Sequence, residues 1–279
     1  MMTEFEGLVR AFREGVDAAY TAASSWALGS FACIDVANAV WIAGAGHEGI
    51  PRHVDLLRDG SAYAKLLAAR TLGHLACRDY DNQRRIVAAG GIPPLVDLLR
   101  DGSAEAKLSA ASTLSILAYS NIANQNLIAK AGGVPPLVEL LRDGSAHAKR
   151  SAASALHYLA SRDSRDLIAK AGGIPPLVDL LYDESADAEL SAASALHYLA
   201  YNNDANAVAI AAAVSLEALV QLARRGRATV DSQSLRVGVP GKRKAALVVA
   251  ALLRACVPVE VRGQADVRDV IRDVIGPYL

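Results

Sequence analysis

The residues of this sequence that could do chemistry are hydroxyls, phenols and imidazoles that recur at a fixed spacing. Two matched sets are Ser151, Ser154 and Tyr158, and Ser191, Ser194 and Tyr198. A serine becomes a nucleophile only beside a general base, and no nucleophile elbow, phosphate-binding glycine loop or metal-binding motif accompanies them. The pattern therefore predicts a binding surface lined by hydroxyls and tyrosines, in a chain that is not an enzyme and holds no cofactor.

Histidines accompany the tyrosines, at His157 and His197. Equivalent residues on adjacent packed helices are about 8–10 Å apart, too far to share a metal ion whose ligands lie at about 2.0–2.1 Å. We therefore expect structural or surface histidines and no metal site.

Earlier segments of the chain offer further candidates for the same surface. These are Tyr63, Arg70 and His74 in one segment and Glu105, Ser109 and Ser112 in the next. A tyrosine offers contact area and a hydrogen-bonding tip at a small entropy cost. The periodicity is equally compatible with duplicated residues that are merely solvated.

A long repeat must position these residues. Gly-Gly, then Ile or Val, then Pro-Pro-Leu-Val begins at Gly90, Gly132 and Gly172, and a partial copy begins at Ile50. A period of about 40–47 residues is typical of a stacked helical solenoid. A solenoid is one continuous domain in which each repeat contacts only its neighbours.

Each repeat is predicted to hold three helices. Glycine is common just past a helix end, and prolines are tolerated in the first turn of the next helix. Asp101, Gly102 and Ser103 then end that helix, and Ser103 is a good N-cap for a longer one. A short break at Ser120 and Asn121 precedes the third helix. Asn82, Asn124 and Asn206 each precede an isoleucine by four residues, and we expect them to cap the short first helix.

The glycine turn and the three helices resemble the armadillo repeat. The resemblance covers essentially the whole chain and implies an all-α, right-handed α-solenoid (superhelix) of about six repeats, which binds an extended peptide or partner protein along a concave groove. Importin-like members also carry a ladder of Trp and Asn on one helix of each repeat. Only Trp26 matches that ladder and no Asn does, so the resemblance gives the binding surface by location alone.

The predicted solenoid spans residues 1–279. Its boundaries are a degenerate repeat at 1–48, clear repeats at 49–90, 91–132, 133–172 and 173–212, and a degenerate repeat with a basic insertion and a capping helix at 213–279.

Composition narrows the classes of partner. A net charge of +0 argues against whole-protein attraction to nucleic acid or to a membrane surface. The most apolar stretches are interrupted by charges and are too short to span a membrane. No signal peptide is predicted, so we expect a cytoplasmic protein, with the nucleus as an alternative. Cys33, Cys77 and Cys256 lack zinc or disulfide spacing and are expected to be buried as small hydrophobic residues.

One insertion breaks the period between Gly226 and Gly241. The basic residues in and around it are Arg224, Arg225, Arg227, Arg236, Lys242, Arg243 and Lys244. An alternative function is therefore binding of RNA or of a phosphorylated or acidic ligand at this basic segment, although a plain solvated loop explains it as well. A further alternative is a substrate-recruiting armadillo module that works with a ubiquitin ligase on a separate chain, since no U-box is present.

Overall fold

A computed structural model describes residues 49–77, 79–160, 164–183, 185–201 and 203–213. All regular structure in these ranges is helical, which confirms the all-α prediction. Trp26, Cys33, Cys256, both predicted terminal repeats except residue 213, and every residue of the basic segment lie outside the described residues.

The described helices repeat in sets of three, as the sequence predicts; the second of each set is the long helix, and the third is called the short helix. They are α1 Gly49–Asp59, α2 Ala62–Ala76, α3 Tyr80–Ala88, α4 Ile92–Asp101, α5 Ala104–Ala118, α6 Ile122–Lys130, α7 Val134–Asp143, α8 Ala146–Leu159, α9 Arg165–Lys170, α10 Ile174–Leu180, α11 Ala186–Ala200 and α12 Asp204–Ala213. Helices α2, α5, α8 and α11 are the long helices. The described residues fall into two compact units that divide between Ala155 and Leu156.

The glycine turns end the short helices as the sequence predicts. Gly90 has a φ of +77°, which L-residues other than glycine rarely adopt. Its N–H donates to the Val87 carbonyl at 2.9 Å, and the Gly91 N–H donates to the Ile86 carbonyl at 3.0 Å. This pair of bonds is a Schellman motif. The next helix, α4, then begins at once with its prolines in the first turn.

Serine N-caps begin the long helices. The Ser103 hydroxyl accepts from the Ala106 N–H at 3.3 Å, and Ser61, Ser145 and Ser185 act in the same way at α2, α8 and α11. Each long helix buries one apolar face; on α5 that face includes Leu114 and Leu117, which are fully buried. Its opposite face is left to carry polar and aromatic side chains.

Two sequence-based expectations are wrong. Cys77 is exposed rather than buried, because it lies just past the last residue of α2. Asn82, Asn124 and Asn206 are not helix N-caps, because the side chains of Asp79, Asn121 and Asn203 accept from the first-turn N–H groups instead. The three asparagines lie three residues further along and are buried, and each donates to a carbonyl of the preceding long helix.

Candidate functional site

Every candidate residue within the described ranges lies on a long helix. Tyr63, Arg70 and His74 are on α2; Glu105, Ser109 and Ser112 are on α5; Ser151, Ser154 and Tyr158 are on α8; Ser191, Ser194 and Tyr198 are on α11. Residues spaced by three or four share one face of a helix, so each set follows the side opposite the buried leucines.

In the first unit, two pairs of serine hydroxyls join neighbouring long helices. Ser112 Oγ lies 2.9 Å from Ser151 Oγ, and Ser115 Oγ donates to Ser154 Oγ at 3.0 Å. Each pair links residues 39 apart, whereas the repeat between these helices is 42 residues. Neighbouring helices are therefore offset by about one turn relative to the sequence repeat. Ser115 was not among the candidates, although it follows Ser112 by one turn.

These pairs change the role of several predicted serines. Ser151 and Ser194 are buried, with exposed fractions of 9% and 8%. Ser112 and Ser154 are half-buried and already hydrogen-bonded. Some of the serines that were expected to line the binding surface therefore form hydrogen bonds between neighbouring helices and are poorly accessible to a ligand.

A close contact joins α2 to α5 in the same unit. Thr113 Oγ1 donates to the Ala69 carbonyl at 2.8 Å and lies 2.9 Å from the Ser109 carbonyl. A Cβ built on Gly73 would lie 2.6 Å from Thr113 Oγ1. Gly73 is thus required for the close approach of these two helices.

The remaining candidates of the first unit are more accessible. Tyr63, Arg70 and Glu105 are exposed. Burial, and then the charge of Arg70, lower the pKa of His74 below its ordinary value, so His74 is neutral at pH 7. Ser109 Oγ donates to the backbone carbonyl of Glu105 within its own helix at 2.9 Å.

The second unit brings its candidates together as a series of ring contacts. The His157 ring centroid lies 4.7 Å from that of Tyr158 and 5.4 Å from that of Tyr198, and its plane is within 22° of the Tyr198 ring. His197 continues the series, at 5.5 Å from Tyr198 and 6.2 Å from Tyr201. We call these five rings the aromatic run.

Tyr198 and Tyr201 give the aromatic run its exposed surface, with exposed fractions of 45% and 55%. Tyr158 and both histidines are half-buried. Burial lowers the pKa of His197, so this imidazole is neutral at pH 7. The result is a row of aromatic rings in contact with one another.

A polar contact fixes the Tyr201 end of the aromatic run. The Arg165 guanidinium carbon lies 5.7 Å from the centroid of the Tyr201 ring, within the range of a cation–π contact, and the same side chain donates to the Tyr201 carbonyl. Asn203 Nδ2 donates to Asp166 Oδ1 at 2.8 Å beside it. Helix α9 thereby holds the residues that follow α11.

Sequence reasoning identified two of the five rings and missed the others. The repeated His-Tyr dipeptide at His157 and His197 is the signal in the sequence, although its spacing predicts only structural or surface histidines. Arg165 of α9 aligns with Gln125 of α6 in the repeat. This difference in sequence accompanies the contact between Arg165 and Tyr201. Among the described residues, no group of three potential ligands could hold a metal ion.

Three consecutive segments, residues 79–119, 121–161 and 161–201, match the Armadillo/beta-catenin-like repeat. The chain therefore contains armadillo repeats. The matched armadillo units begin with the short helix, one helix earlier than the units defined from the glycine turns, so both schemes divide the same series of helices. Comparison with curated proteins finds no significant match.

Solved structures share this armadillo fold. Computationally designed armadillo repeat proteins for modular peptide recognition give a TM-score of 0.70 at 23% identity, over 87% of this chain and 98% of that chain. A designed armadillo repeat protein in complex with the peptide (KR)4 gives 0.69 at 23% identity, over 91% and 100%. An engineered protein gives 0.74 at 28% identity, over 98% and 61%.

None of the described helices is long and apolar enough to cross a membrane. This armadillo chain is an α-solenoid whose long helices carry the candidate residues on their polar faces.

Proposed function

We propose that this armadillo-repeat chain is a non-enzymatic scaffold or adaptor that binds an extended peptide or partner protein through the polar faces of its long helices. The observation that carries the proposal is the contact between Tyr198 and His157. A tyrosine ring that is 45% exposed is held by a stacked neighbour from the preceding long helix.

A fixed, exposed ring suits binding because little conformational freedom is lost when a partner covers it. Binding energy at interfaces concentrates in a few aromatic or arginine residues. Tyr158, Tyr198 and Tyr201 supply such residues within one unit. Two of the structurally similar designed proteins recognise or bind peptides, but at 23% identity the likeness supports the fold, and the surface rests on this chain's own residues.

Selection from a random-peptide display library tests the proposal. We expect the purified chain to enrich peptides, and Tyr158→Ala with Tyr198→Ala to weaken binding of the enriched peptides by at least about 2 kcal/mol. Tyr119→Ala is the matched control, because Tyr119 is an exposed tyrosine of the first unit. Circular dichroism of the same samples reports whether each variant folds.

Unchanged peptide affinity in a folded double variant would show that peptides bind at a surface other than the aromatic run. The salt dependence of binding then tests the alternative at the basic segment, since phosphate contacts weaken steeply with added salt.

A further inference from the structure

Helix α9 differs from the short helices α3 and α6 in its contacts with the preceding long helix. In α6, Asn124 and Gln125 donate to the last two carbonyls of α5 at 2.8 and 3.0 Å, and α3 makes the same two contacts with α2. When α6 and α9 are aligned at their last residues, Ser164 takes the position of Asn124 and Arg165 that of Gln125. Within the described residues, neither Ser164 nor Arg165 donates a side-chain hydrogen bond to a carbonyl of α8.

The side-chain hydrogen bonds of α9 join residues that follow it in the chain. Arg165 donates to the Tyr201 carbonyl, and its guanidinium carbon lies 5.7 Å from the centroid of the Tyr201 ring. Asn203 Nδ2 donates to Asp166 Oδ1 at 2.8 Å. These contacts connect α9 with the residues between α11 and α12, where Tyr201 is the last ring of the aromatic run.

The first unit has a tyrosine at the equivalent position. Tyr119 directly follows α5 as Tyr201 directly follows α11, and Gln83 precedes Tyr119 by as many residues as Arg165 precedes Tyr201. Gln83 Nε2 donates to the Ala76 carbonyl at 3.0 Å. The same repeat position therefore contacts the preceding long helix in α3, whereas in α9 it contacts the tyrosine after the following long helix.

We propose that Arg165 is a positioning residue of the binding surface, which couples α9 to Tyr201 and thereby orders the exposed end of the aromatic run. A guanidinium can lie over an aromatic ring and donate to a carbonyl at the same time. A residue of a short helix then determines how firmly the last ring is held. The inference rests on the proposed function for the role of the aromatic run, but the coupling itself is measurable without a peptide.

Residue-resolved amide hydrogen exchange of the full chain tests the coupling. In Arg165→Ala, the amides of Tyr201 and Asn203, which donate to carbonyls of α11, should exchange at least about fivefold faster. The amide of Ala160, just past α8, should exchange at an unchanged rate. Lys170→Ala is the matched control, because Lys170 is an exposed cation of the same helix. Unchanged exchange at Tyr201 and Asn203, or faster exchange at Ala160 instead, would overturn the coupling.

Gln83→Ala tests the opposite direction of contact at the equivalent position. Because the Gln83 amide binds a carbonyl of α2, its loss should accelerate exchange of the Cys77 and Asp79 amides, which lie just past α2, and leave Tyr119 unchanged. Acceleration at Tyr119 would show that coupling to the following tyrosine does not depend on arginine, and would overturn the distinct role of Arg165.

Arg165→Lys separates the effect of the cation from a merely structural role of the side chain. Lysine retains a positive charge and N–H donors at this position. Exchange at Tyr201 should therefore be closer to the wild-type rate than it is in Arg165→Ala. An exchange rate equal to that of the alanine variant would overturn the role of the cation beside the ring.

Peptide binding tests the consequence for the surface. Arg165→Ala should weaken binding of the peptides enriched by the display selection at least about threefold, since a loosely held Tyr201 ring loses more freedom when a peptide covers it. Unchanged peptide affinity together with faster exchange at Tyr201 would overturn the positioning role. A selection that enriches no peptide would contradict the proposed function, and the exchange rates would still decide whether Arg165 couples α9 to Tyr201.

Discussion

Asn124 Nδ2 donates a hydrogen bond to the carbonyl of Leu117 at 2.8 Å, so a residue of the short helix α6 caps the end of the long helix α5. Both groups are buried. Gln125 donates to the Ala118 carbonyl at 3.0 Å beside it, and Asn82 with Gln83 makes the same two contacts with α2. Because the last carbonyls of a helix have no partner within the helix, these adjacent amides fix the angle between the two helices.

Asn124→Ala should therefore destabilise the chain by about 1–3 kcal/mol, because the buried Leu117 carbonyl loses its donor. Urea unfolding monitored by circular dichroism measures the change. Asn126→Ala is the matched control, since Asn126 lies on the same helix and is only half-buried. Equal effects of the two substitutions would show that the amide-to-carbonyl bond contributes nothing specific.

Gly73→Ala should destabilise the chain by about 1–3 kcal/mol, because its methyl group would overlap the Thr113 hydroxyl across the helix interface. The effect should be smaller when Thr113→Ala is already present, since that change removes the obstructing oxygen. A double-mutant cycle of unfolding free energies measures the coupling. Additive effects would contradict the close contact.

His53 should make stability fall in mild acid. Burial lowers its pKa from the ordinary 6.5 of histidine to about 4, although its Nδ1 donates to the Gly49 carbonyl at 2.7 Å. Between these two pKa values the unfolded chain binds the proton and the folded chain does not. The resulting stability is complete above about pH 6.5 and is lost as pH falls towards 4, by up to roughly 3 kcal/mol.

His53→Gln retains a side-chain N–H donor but cannot titrate, so the unfolding free energy of the variant should vary less with pH over this interval. Urea titrations of both proteins at several pH values between 4 and 7 make the comparison. The same slope in the variant and the wild type would mean that other groups cause the acid sensitivity.

Gly90→Ala should cost about 1–2 kcal/mol, because a φ of +77° places an L-residue in the left-handed region. Gly90→Asn should cost less, since asparagine tolerates this conformation better. Thermal unfolding ranks the two variants. If asparagine were as destabilising as alanine, crowding against Arg58, rather than the backbone conformation, would be the cause.

The turn chemistry was predictable from sequence because it depends on neighbouring residues. Gly90 requires a positive φ, prolines suit the first turn of α4, and Ser103 caps α5, and each follows from local sequence alone. The partners across helices were not predictable in the same way. Asn124 looks like an N-cap in the sequence, and only the packing of α6 on α5 shows that it reaches back seven residues to Leu117.

The repeat predicts which helices carry the candidate side chains, but it does not predict which of these side chains are buried. Tyr158 and Tyr198 lie on the polar faces of their long helices, as the repeat suggests. The burial of Ser151 depends on the one-turn offset between α5 and α8, and a repeat length cannot reveal that offset. The contact of Arg165 with Tyr201 likewise requires residues from different repeats.

The contact between Gly73 and Thr113 limits how far the repeats can be interchanged as modules. The positions one 42-residue repeat later are Ser115 and Ala155. Ser115 has a side chain where Gly73 has none, and Ala155 lacks the hydroxyl of Thr113. Excising residues 91–132 would place α2 next to α8, which has Ala155 at the position of Thr113. Protein engineers who reorder the repeats of this chain must therefore transfer the residues on both sides of each interface, because contacts between neighbouring repeats specify the order of the repeats.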